Sequence, residues 1–150
     1  MIEKFQFYLD ENLVKKESAD IEEAKSLIEK AFQRMDFIKT QHLNEKTSTF
    51  VFEDIYECLR EAAQSLMSLE GYKPYSHEAV IAFLKEFCRF DEYEIESFNR
   101  YRILRNNCIY KAAKVSSTAC RDAMKFSENF LPKIKNEFDK KLNRISRHHK

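Results

Sequence analysis

Glycine and proline are scarce, since the 150-residue chain contains one Gly and two Pro. Average usage would supply about 18 residues of these two types together, and they mark most tight turns. Their scarcity disfavours β-sandwiches and β-barrels, which need many turns, and it equally disfavours a glycine-rich loop that cradles phosphates. A length of 150 residues is typical of one domain built around a single hydrophobic core.

Long apolar runs are also missing. The longest segment without a charged side chain has eight residues, from Ala62 to Leu69, whereas a membrane-spanning helix needs about 20 apolar residues. The segment Met1–Phe5 contains Glu3 where a signal peptide would have a basic region, and no apolar stretch of roughly 7–15 residues follows it. We therefore expect a cytoplasmic protein without a membrane span.

Cysteine is present four times but in no recognisable arrangement. Cys58, Cys88, Cys108 and Cys120 are separated by 30, 20 and 12 positions. This spacing matches neither the paired ligands of a zinc site nor a compact disulfide framework. Free cysteines are among the most often buried residues, so we expect buried thiols, and the sequence predicts no metal site and no cofactor.

The net charge of +1 conceals an uneven distribution along the chain. Residues 100–150 carry 14 basic and four acidic side chains, a balance of +10, while residues 1–99 carry 12 and 21, a balance of −9. A basic segment of this kind indicates a polyanionic partner, unless the two parts neutralise each other across a helical bundle. The sequence leaves both explanations open.

Apolar residues recur every three or four positions through most of the chain, which is the spacing that lines one face of a helix. Asp20 with Glu23, and Asp91 with Glu94, have the spacing of a capping box at a helix start. Ser76 is placed to cap a helix between them. In the first long helix the apolar face consists of Ile21, Ala24, Leu27, Ile28, Ala31, Met35 and Ile38.

Turn-forming residues predict where the helices end. Gly71 and Pro74 close the second long helix. The last helix begins near 116–117, and Pro132 should kink it or begin a new segment at Ile134.

Together these patterns predict an all-α fold. We expect residues 1–150 to form one domain, an up-and-down bundle of four to five helices with a core over about 15–142. A short helix over 2–14 would precede the bundle. The basic C-terminal tail, 143–150, is expected to fray.

The fourth long helix departs from the apolar pattern. Arg105 occupies a position where an apolar residue belongs, and Arg102 lies about 60° to one side of the stripe at 100° per residue. Arg is rarely buried without a partner, because removing its charge from water costs several kcal/mol. Either a carboxylate of the bundle pairs with Arg105, or Arg105 faces a cleft. The stripe itself consists of Tyr101, Leu104, Cys108, Ile109 and Ala112.

Side chains in this helix suit phosphate binding. The planar guanidinium groups of Arg102 and Arg105 can each donate two parallel hydrogen bonds to phosphate oxygens. Asn106 adds an amide, Tyr110 can stack on a base or donate its hydroxyl, and Lys111 adds a charge. This mixture of basic and aromatic residues is typical of nucleic-acid-binding surfaces.

The segment Arg105-Asn106-Asn107-Cys108-Ile109-Tyr110 resembles the signature of HEPN domains. In that signature an Arg, often followed by Asn, precedes a His by four to six intervening residues near the end of a long helix. A second stretch, 56–63 followed by 71–84, resembles the middle helices and connecting turn of archaeal and bacterial HEPN proteins, and 19–37 is similar to their first long helix. The resemblance spans about residues 10–140.

This resemblance implies a four- or five-helix bundle that forms a homodimer, with the signature helices of two subunits facing each other across a composite cleft. Many HEPN proteins are metal-independent endoribonucleases, often encoded beside a minimal nucleotidyltransferase as a toxin–antitoxin pair. Their Arg steadies charge on the scissile phosphate while their His moves protons during attack by the ribose 2′-hydroxyl. By resemblance, Arg105 and Asn106 match catalytic positions.

Tyr110 stands where the family has His. An unperturbed Tyr has a pKa of about 10 and is a poor general base at neutral pH, whereas His, near 6.5, is well suited to the task. The sequence therefore leaves open whether the protein is an enzyme.

Three other groups of polar residues have alternative explanations. His77 lies on the same helix face as Ile81 and Leu84. It is either a core or capping histidine, or a proton carrier in a cleft. His148 and His149, in the basic tail, are expected to be inert rather than metal-binding. An acidic side of the second helix is either solvated or a partner for the arginines, and it lacks the Glu-x-x-His spacing of di-iron bundles; it consists of Glu53, Asp54, Glu57 and Glu61.

Three hypotheses follow. In the first, an HEPN-like homodimer binds RNA or a nucleotide in a cleft lined by Arg102, Arg105, Asn106 and Tyr110, with ribonuclease activity left open. In the second, the protein is a catalytically silent interaction module that dimerises or docks onto a minimal nucleotidyltransferase. In the third, Arg105 is wholly structural, and replacing it should destabilise the fold by several kcal/mol.

Overall fold

A computed structural model describes residues 1–148, which form six helices and two short strands. This confirms the all-α bundle predicted from the sequence, and none of the described helices is both long and apolar enough to cross a lipid bilayer. The elements are α1 (Phe5–Asp10), β1 (Val14–Lys16), α2 (Ile21–Lys39), α3 (Ser48–Leu69), β2 (Tyr72–Pro74), α4 (His77–Phe87), α5 (Glu92–Lys111) and α6 (Ser117–His148).

The predicted capping residues begin three of the helices. The Asp20 carboxylate accepts the backbone N–H of Glu23 over 2.9 Å at the start of α2. At α5 the bonds are reciprocal: Asp91 accepts from the Glu94 N–H over 2.8 Å, and Glu94 accepts from the Asp91 N–H over 3.0 Å. Ser76 accepts a longer bond, 3.4 Å, at the start of α4. These caps satisfy N–H groups that a helix leaves without intrahelical partners.

Helix α3 is the centre of the bundle and packs against α2, α4, α5 and α6. Its side chains are buried nearly all round, as expected of a helix surrounded by others. Aromatic rings join α5 to α6, with Phe98 and Phe130 centroids 6.0 Å apart and Tyr101 and Phe126 centroids 5.4 Å apart. The core also takes in Phe5 and Tyr8, which precede the predicted core over 15–142.

A two-stranded antiparallel sheet was not predicted. Val14 pairs with Pro74 and Lys16 with Tyr72, so β1 and β2 tie the N-terminal segment to the turn after α3. The turn requires Gly71, which has φ +79°, and a Cβ there would lie 2.2 Å from the Glu17 carbonyl oxygen. Three-residue strands carry too little alternation to stand out from neighbouring helical patterns.

Of the two outcomes predicted for Pro132, a kink or a new segment, the new segment is wrong, because α6 continues as one helix to His148. Proline removes one N–H from the helix, and Pro132 and Glu128, whose carbonyl loses its donor, are both exposed to water. Buried residues on either side, Phe130 and Ile134, keep the two parts of the helix on the same core. The basic tail that was expected to fray is helical as far as the structure describes it.

Candidate anion-binding site

The predicted inner stripe of α5 is only partly buried. Cys108 is in the core, but Ile109 is 46% exposed and Ala112 is exposed. Ala112 has a left-handed φ of +52° and ends the helix, so the last turn of α5 extends beyond the core. The prediction that Ile109 and Ala112 face inward is therefore wrong. In contrast, Arg102 and Arg105, which we call the polar ridge of α5, face α4 and α3.

Arg102 lies in this ridge with an 11% exposed side chain. Its Nε donates to Asn99 Oδ1 over 2.9 Å, and its Nη1 lies 3.5 Å from Glu78 Oε1 at the start of α4. Since Glu78 is 43% exposed and the distance is long, this ion pair is weak. Arg102 is thus held in place with part of its donor capacity unused.

Arg105 is half-buried and forms no ion pair with a carboxylate within residues 1–148. Its Nη1 donates to the neighbouring Asn106 Oδ1 over 3.3 Å, and its guanidinium carbon lies 5.8 Å from the centroid of the Tyr56 ring. Of the two alternatives that the sequence left open, the internal salt bridge is not found in the part of the chain that the structure describes.

His77 and Tyr56 form a pair beside these arginines. The Tyr56 hydroxyl and His77 Nδ1 are 2.8 Å apart, and the two rings are nearly parallel, with an interplanar angle of 7° and centroids 5.7 Å apart. Tyr56 is 1% exposed, whereas His77 is half-buried. The imidazole is therefore anchored by a buried phenol and partly open to solvent.

Arg60 supplies a third guanidinium, one helical turn from Tyr56 on α3. Its Nε donates to Glu57 Oε2 over 3.1 Å, and its Nη1 donates to Gln64 Oε1 over 2.5 Å. Hydrogen bonds on both sides restrain this side chain, which is 23% exposed. We call Tyr56, Arg60, His77, Arg102 and Arg105 together the cationic cluster.

The electrostatics of the cationic cluster favour an anion. Burial and then the charges of Arg105 and Arg60 lower the pKa of His77, so the imidazole is neutral near pH 7. Burial raises the pKa of Tyr56 far above its usual 10, so its hydroxyl keeps its proton. The cluster has three guanidinium groups, of Arg60, Arg102 and Arg105, and two carboxylates lie beside them, of Glu57 and Glu78. The cluster therefore carries one positive charge in excess.

Glu57 is ionised despite its surroundings. Burial would raise the pKa of Glu57, but the hydrogen bond and charge of Arg60 outweigh burial and lower it. The other acidic residues of α3 face elsewhere: Glu61 is 2% exposed and accepts from Arg34 over 2.6 Å, and Asp54 lies 3.7 Å from the same arginine. Glu57, Asp54 and Glu61 therefore pair with Arg60 and Arg34 rather than with the arginines of α5, and the Asp54 side chain is also 39% exposed to solvent.

Among residues 1–148, none of the remaining predicted site residues hydrogen-bonds His77. Tyr110 is 77% exposed and stands about 140° round the helix from Arg105. Lys111 is exposed at the end of α5, and Asn106 is half-buried and accepts a hydrogen bond from Arg105. A cavity of about 850 Å³ lies on the other side of α5, lined by Arg100, Tyr101 and Phe126 among others, so it is not the cleft that the sequence predicted.

Sequence reasoning did not select Tyr56, Arg60 or Glu78 for the site. The available signal was the spacing of Tyr56 and Arg60, which places a phenol and a guanidinium one turn apart on α3. His77 was noted, but the residues around it come from other helices.

Metal ligands are not clustered in the structure: within residues 1–148, no group of three or more His, Cys, Asp or Glu side chains is arranged to hold a metal ion. His149 and the side chain of His148 lie outside the described residues. The four cysteines are free thiols.

Comparisons with known proteins add no relative: no family model matches the chain, and no curated protein or solved structure is similar to it. The likeness to HEPN domains therefore remains a hypothesis based on the residues quoted above.

Proposed function

We propose that this protein binds single-stranded RNA, with the cationic cluster holding a phosphate of the RNA backbone. The observation that carries the proposal is the state of Arg105, a half-buried guanidinium with no carboxylate partner in the described residues. A partly desolvated cation is unfavourable unless an anion compensates it. A phosphodiester carries one negative charge, which equals the excess charge of the cluster.

Hydrogen-bonding geometry supports a phosphate in this role. Guanidinium groups bind phosphate oxygens through two parallel N–H donors, and such charge-assisted bonds are stronger than neutral ones. Arg102 and Arg105 project from the same side of α5, one turn apart, so their donors can converge on one ligand. The +10 balance of residues 100–150 would attract a polyanion over longer distances.

Exposed residues at the end of α5 would extend this surface. Tyr110 presents an uncovered ring that is available to stack on an unpaired base. Lys111 adds a phosphate contact beyond it, and Asn106 orients Arg105 through its amide. In this proposal Tyr110 contributes affinity and has no role in proton transfer.

The proposal retains the HEPN interpretation, including a homodimer and a toxin-type component encoded with a minimal nucleotidyltransferase. RNA binding is consistent with the endoribonuclease activity that the resemblance implies.

A salt titration tests the proposal. Fluorescence anisotropy would measure the Kd for a labelled 20-nucleotide single-stranded RNA from 50 to 300 mM KCl. Arg105→Ala should weaken binding about tenfold and reduce the salt slope by about 0.7, the value for one lost phosphate contact on a single strand. Arg121→Ala is the matched control, because it removes an equal charge from an exposed site on α6.

Equal losses in the two variants would show that affinity depends on overall charge, and the cationic cluster would lose its assignment. A Kd that Arg105→Ala leaves unchanged would contradict the proposal directly. If a DNA strand of the same sequence is bound as tightly as the RNA, the proposed ligand is any single-stranded polyanion rather than RNA.

A second candidate is the interaction module without chemistry. The specific observation is the exposure of three apolar residues on the last turns of α5, with Ile103 47%, Ile109 46% and Tyr110 77% exposed. Exposed apolar patches often mark protein–protein contacts. Light scattering on the protein and on Ile109→Asp would measure the oligomeric state, and a dimer that the substitution dissociates would favour this role.

A further inference from the structure

The cavity between α5 and α6 has no part in the binding of RNA at the cationic cluster. The two helices run antiparallel and approach each other chiefly through aromatic rings, with Phe98 facing Phe130 and Tyr101 facing Phe126. Phe130 is 1% exposed, so it belongs to the core as well as to the lining of the cavity. The open space beside these rings has a volume of about 850 Å³. We call it the α5–α6 groove.

The walls of the α5–α6 groove are apolar and incompletely covered. Tyr101 and Leu104 of α5 and Phe126 of α6 are each half-buried, and Ala119 contributes a small side chain near the start of α6. A cavity of about 300–1,000 Å³ with an apolar lining and a few polar groups is typical of small-molecule sites. Aromatic walls favour a flat aromatic ligand, because rings attract each other in offset-stacked and edge-to-face arrangements beyond the area that they bury.

Charged groups at one end of the groove already have partners. Glu94 Oε2 accepts from Lys133 Nζ over 2.6 Å, while Asp91 and Glu94 form the reciprocal cap of α5. The hydrogen bond from Lys133 to Glu94 raises the pKa of the lysine, which therefore stays charged. These three groups satisfy one another and need no ligand.

Two cations beside the facing rings have no such partners. Arg100 and Lys125 directly precede Tyr101 and Phe126 in the chain, and both line the groove. Arg100 Nη2 donates a long hydrogen bond of 3.4 Å to Ser97 Oγ, and its guanidinium carbon lies 5.9 Å from the centroid of the Tyr101 ring. Neither cation forms an ion pair with another residue in the range 1–148.

Asp122 is the third charged residue of this part of the groove, and it too forms no ion pair with any described residue. Together with Arg100 and Lys125 it leaves one positive charge in excess. Charge complementarity therefore favours a ligand with one negative charge, and a carboxylate can accept two parallel hydrogen bonds from a guanidinium. A ring N–H in the ligand can donate to the Asp122 carboxylate, which accepts hydrogen bonds only.

We propose that the α5–α6 groove binds a small heteroaromatic carboxylate, a flat ring system that carries one carboxylate and one ring N–H. The ring system lies against Tyr101, Leu104 and Phe126. Its carboxylate binds the two free cations, and its N–H binds Asp122. The inference does not depend on RNA binding, because the groove and the cationic cluster have no residue in common.

Indole-3-acetate is the probe for this site, because it has a flat ring system, a ring N–H and a carboxylate. The chain contains no Trp, so indole fluorescence can be excited at a wavelength where tyrosine hardly absorbs, and its anisotropy reports binding directly. Full-length protein is titrated into the probe at pH 7. Two ligand controls are indole-3-ethanol, which has a hydroxyl in place of the carboxylate, and acetate, which lacks the ring and is added as a competitor.

Four proteins are compared: wild type, Arg100→Gln, Ala119→Leu and Arg121→Gln. Arg100→Gln removes the guanidinium that would bind the carboxylate, and Ala119→Leu adds a larger apolar side chain to the lining. Arg121 is an exposed arginine of α6 that does not line the groove. Arg121→Gln is therefore the matched control, because it makes the same chemical change elsewhere.

Wild type should bind the probe with a Kd of roughly 0.1–1 mM, the affinity expected of a ligand with about 13 non-hydrogen atoms. Arg100→Gln should raise this Kd about tenfold through the loss of charge-assisted hydrogen bonds, and Ala119→Leu should raise it by about tenfold or more. Arg121→Gln should change it by less than about twofold. Indole-3-ethanol should bind wild type about tenfold more weakly than indole-3-acetate, and acetate should not displace the probe.

Any of three results would overturn the inference: no binding by wild type, equal losses in the two arginine variants, or equal affinity for indole-3-ethanol and indole-3-acetate. Light scattering on the same samples tests a second copy of the chain as the occupant. A wild-type dimer that Ala119→Leu dissociates would give the groove to that second copy and overturn the inference as well. Thermal unfolding identifies a variant that has lost its fold; if Ala119→Leu has done so, Arg100→Gln, at an exposed position, provides the second test.

Discussion

Arg34 and Arg105 are both partly buried arginines, yet the structure predicts different losses of stability when each is replaced by Ala. Arg34 Nε donates to Glu61 Oε1 over 2.6 Å, and the Glu61 side chain is 2% exposed. Among residues 1–148, Arg105 donates only to its neighbour Asn106, and it lies 5.8 Å from the Tyr56 ring centroid. The comparison decides whether Arg105 is a structural residue or is available to a ligand.

The magnitudes follow from what each substitution leaves behind. Removing one member of a buried ion pair costs about 3–5 kcal/mol. Lys30 Nζ remains 3.3 Å from Glu61 in Arg34→Ala and compensates part of the charge, so we expect a loss of about 2–3 kcal/mol. Arg105→Ala loses a weak hydrogen bond and a cation–π contact but relieves repulsion from Arg60 and Arg102, so the net loss should be below about 1 kcal/mol.

Thermal unfolding followed by circular dichroism measures both variants at pH 7. In a chain of this length 1 kcal/mol corresponds to roughly 2–4 °C in Tm. Arg34→Ala should therefore lower Tm by about 4–12 °C, and Arg105→Ala by less than about 4 °C. A loss for Arg105→Ala as large as that for Arg34→Ala would refute the reasoning and support a structural role for Arg105.

Three further predictions concern protonation, thiols and turns. The pKa of His77 is lowered in the folded state, so near pH 6.5 and below the unfolded chain binds more protons than the folded protein. The free energy of unfolding should therefore decrease as the pH is lowered through about 6.5. Urea unfolding from pH 5 to 8 measures this decrease, and His77→Gln should remove the contribution of His77 to it. Burial raises the pKa of Cys58 to about 12, and we expect Ellman's reagent to modify the cysteines of the folded protein far more slowly than in urea; a similar rate in both would be the contrary result. Gly71→Ala should lower the free energy of unfolding by about 2 kcal/mol or more, because its Cβ would meet the Glu17 carbonyl oxygen. Ala112→Gly should raise the free energy of unfolding by up to about 1 kcal/mol, because residue 112 has a φ of +52°. Urea midpoints equal to that of the wild type would contradict both predictions.

Local sequence decided where three of the six described helices begin. A capping residue binds N–H groups two or three positions away, so Asp20 and Asp91 could be identified without knowing the fold. The polar ridge on α5 was likewise visible, because Arg102 and Arg105 interrupt a helical period. The strands were not visible, since each has three residues and pairs with a partner nearly 60 positions away.

The tertiary structure decided which of the polar residues form a site. Helical periodicity places Arg105 on the inner side of α5, but the rotation of each helix about its axis determines what it meets, and that depends on the packing of the whole core. In the structure Tyr56 lies beside Arg105 and hydrogen-bonds His77, whereas Tyr110 is exposed to solvent. Glu61 forms an ion pair with Arg34.

The sequence by itself therefore determined the helices, their caps and the excess of positive charge near the C-terminus. Only the packing of α3, α4 and α5 brought the cationic cluster together, because its members come from segments that no local spacing relates. His77 and Tyr56 are 21 positions apart in the chain and 2.8 Å apart in the structure. Contacts between helices arise from burial of their apolar faces, and the polar residues beside those faces are brought together as a consequence.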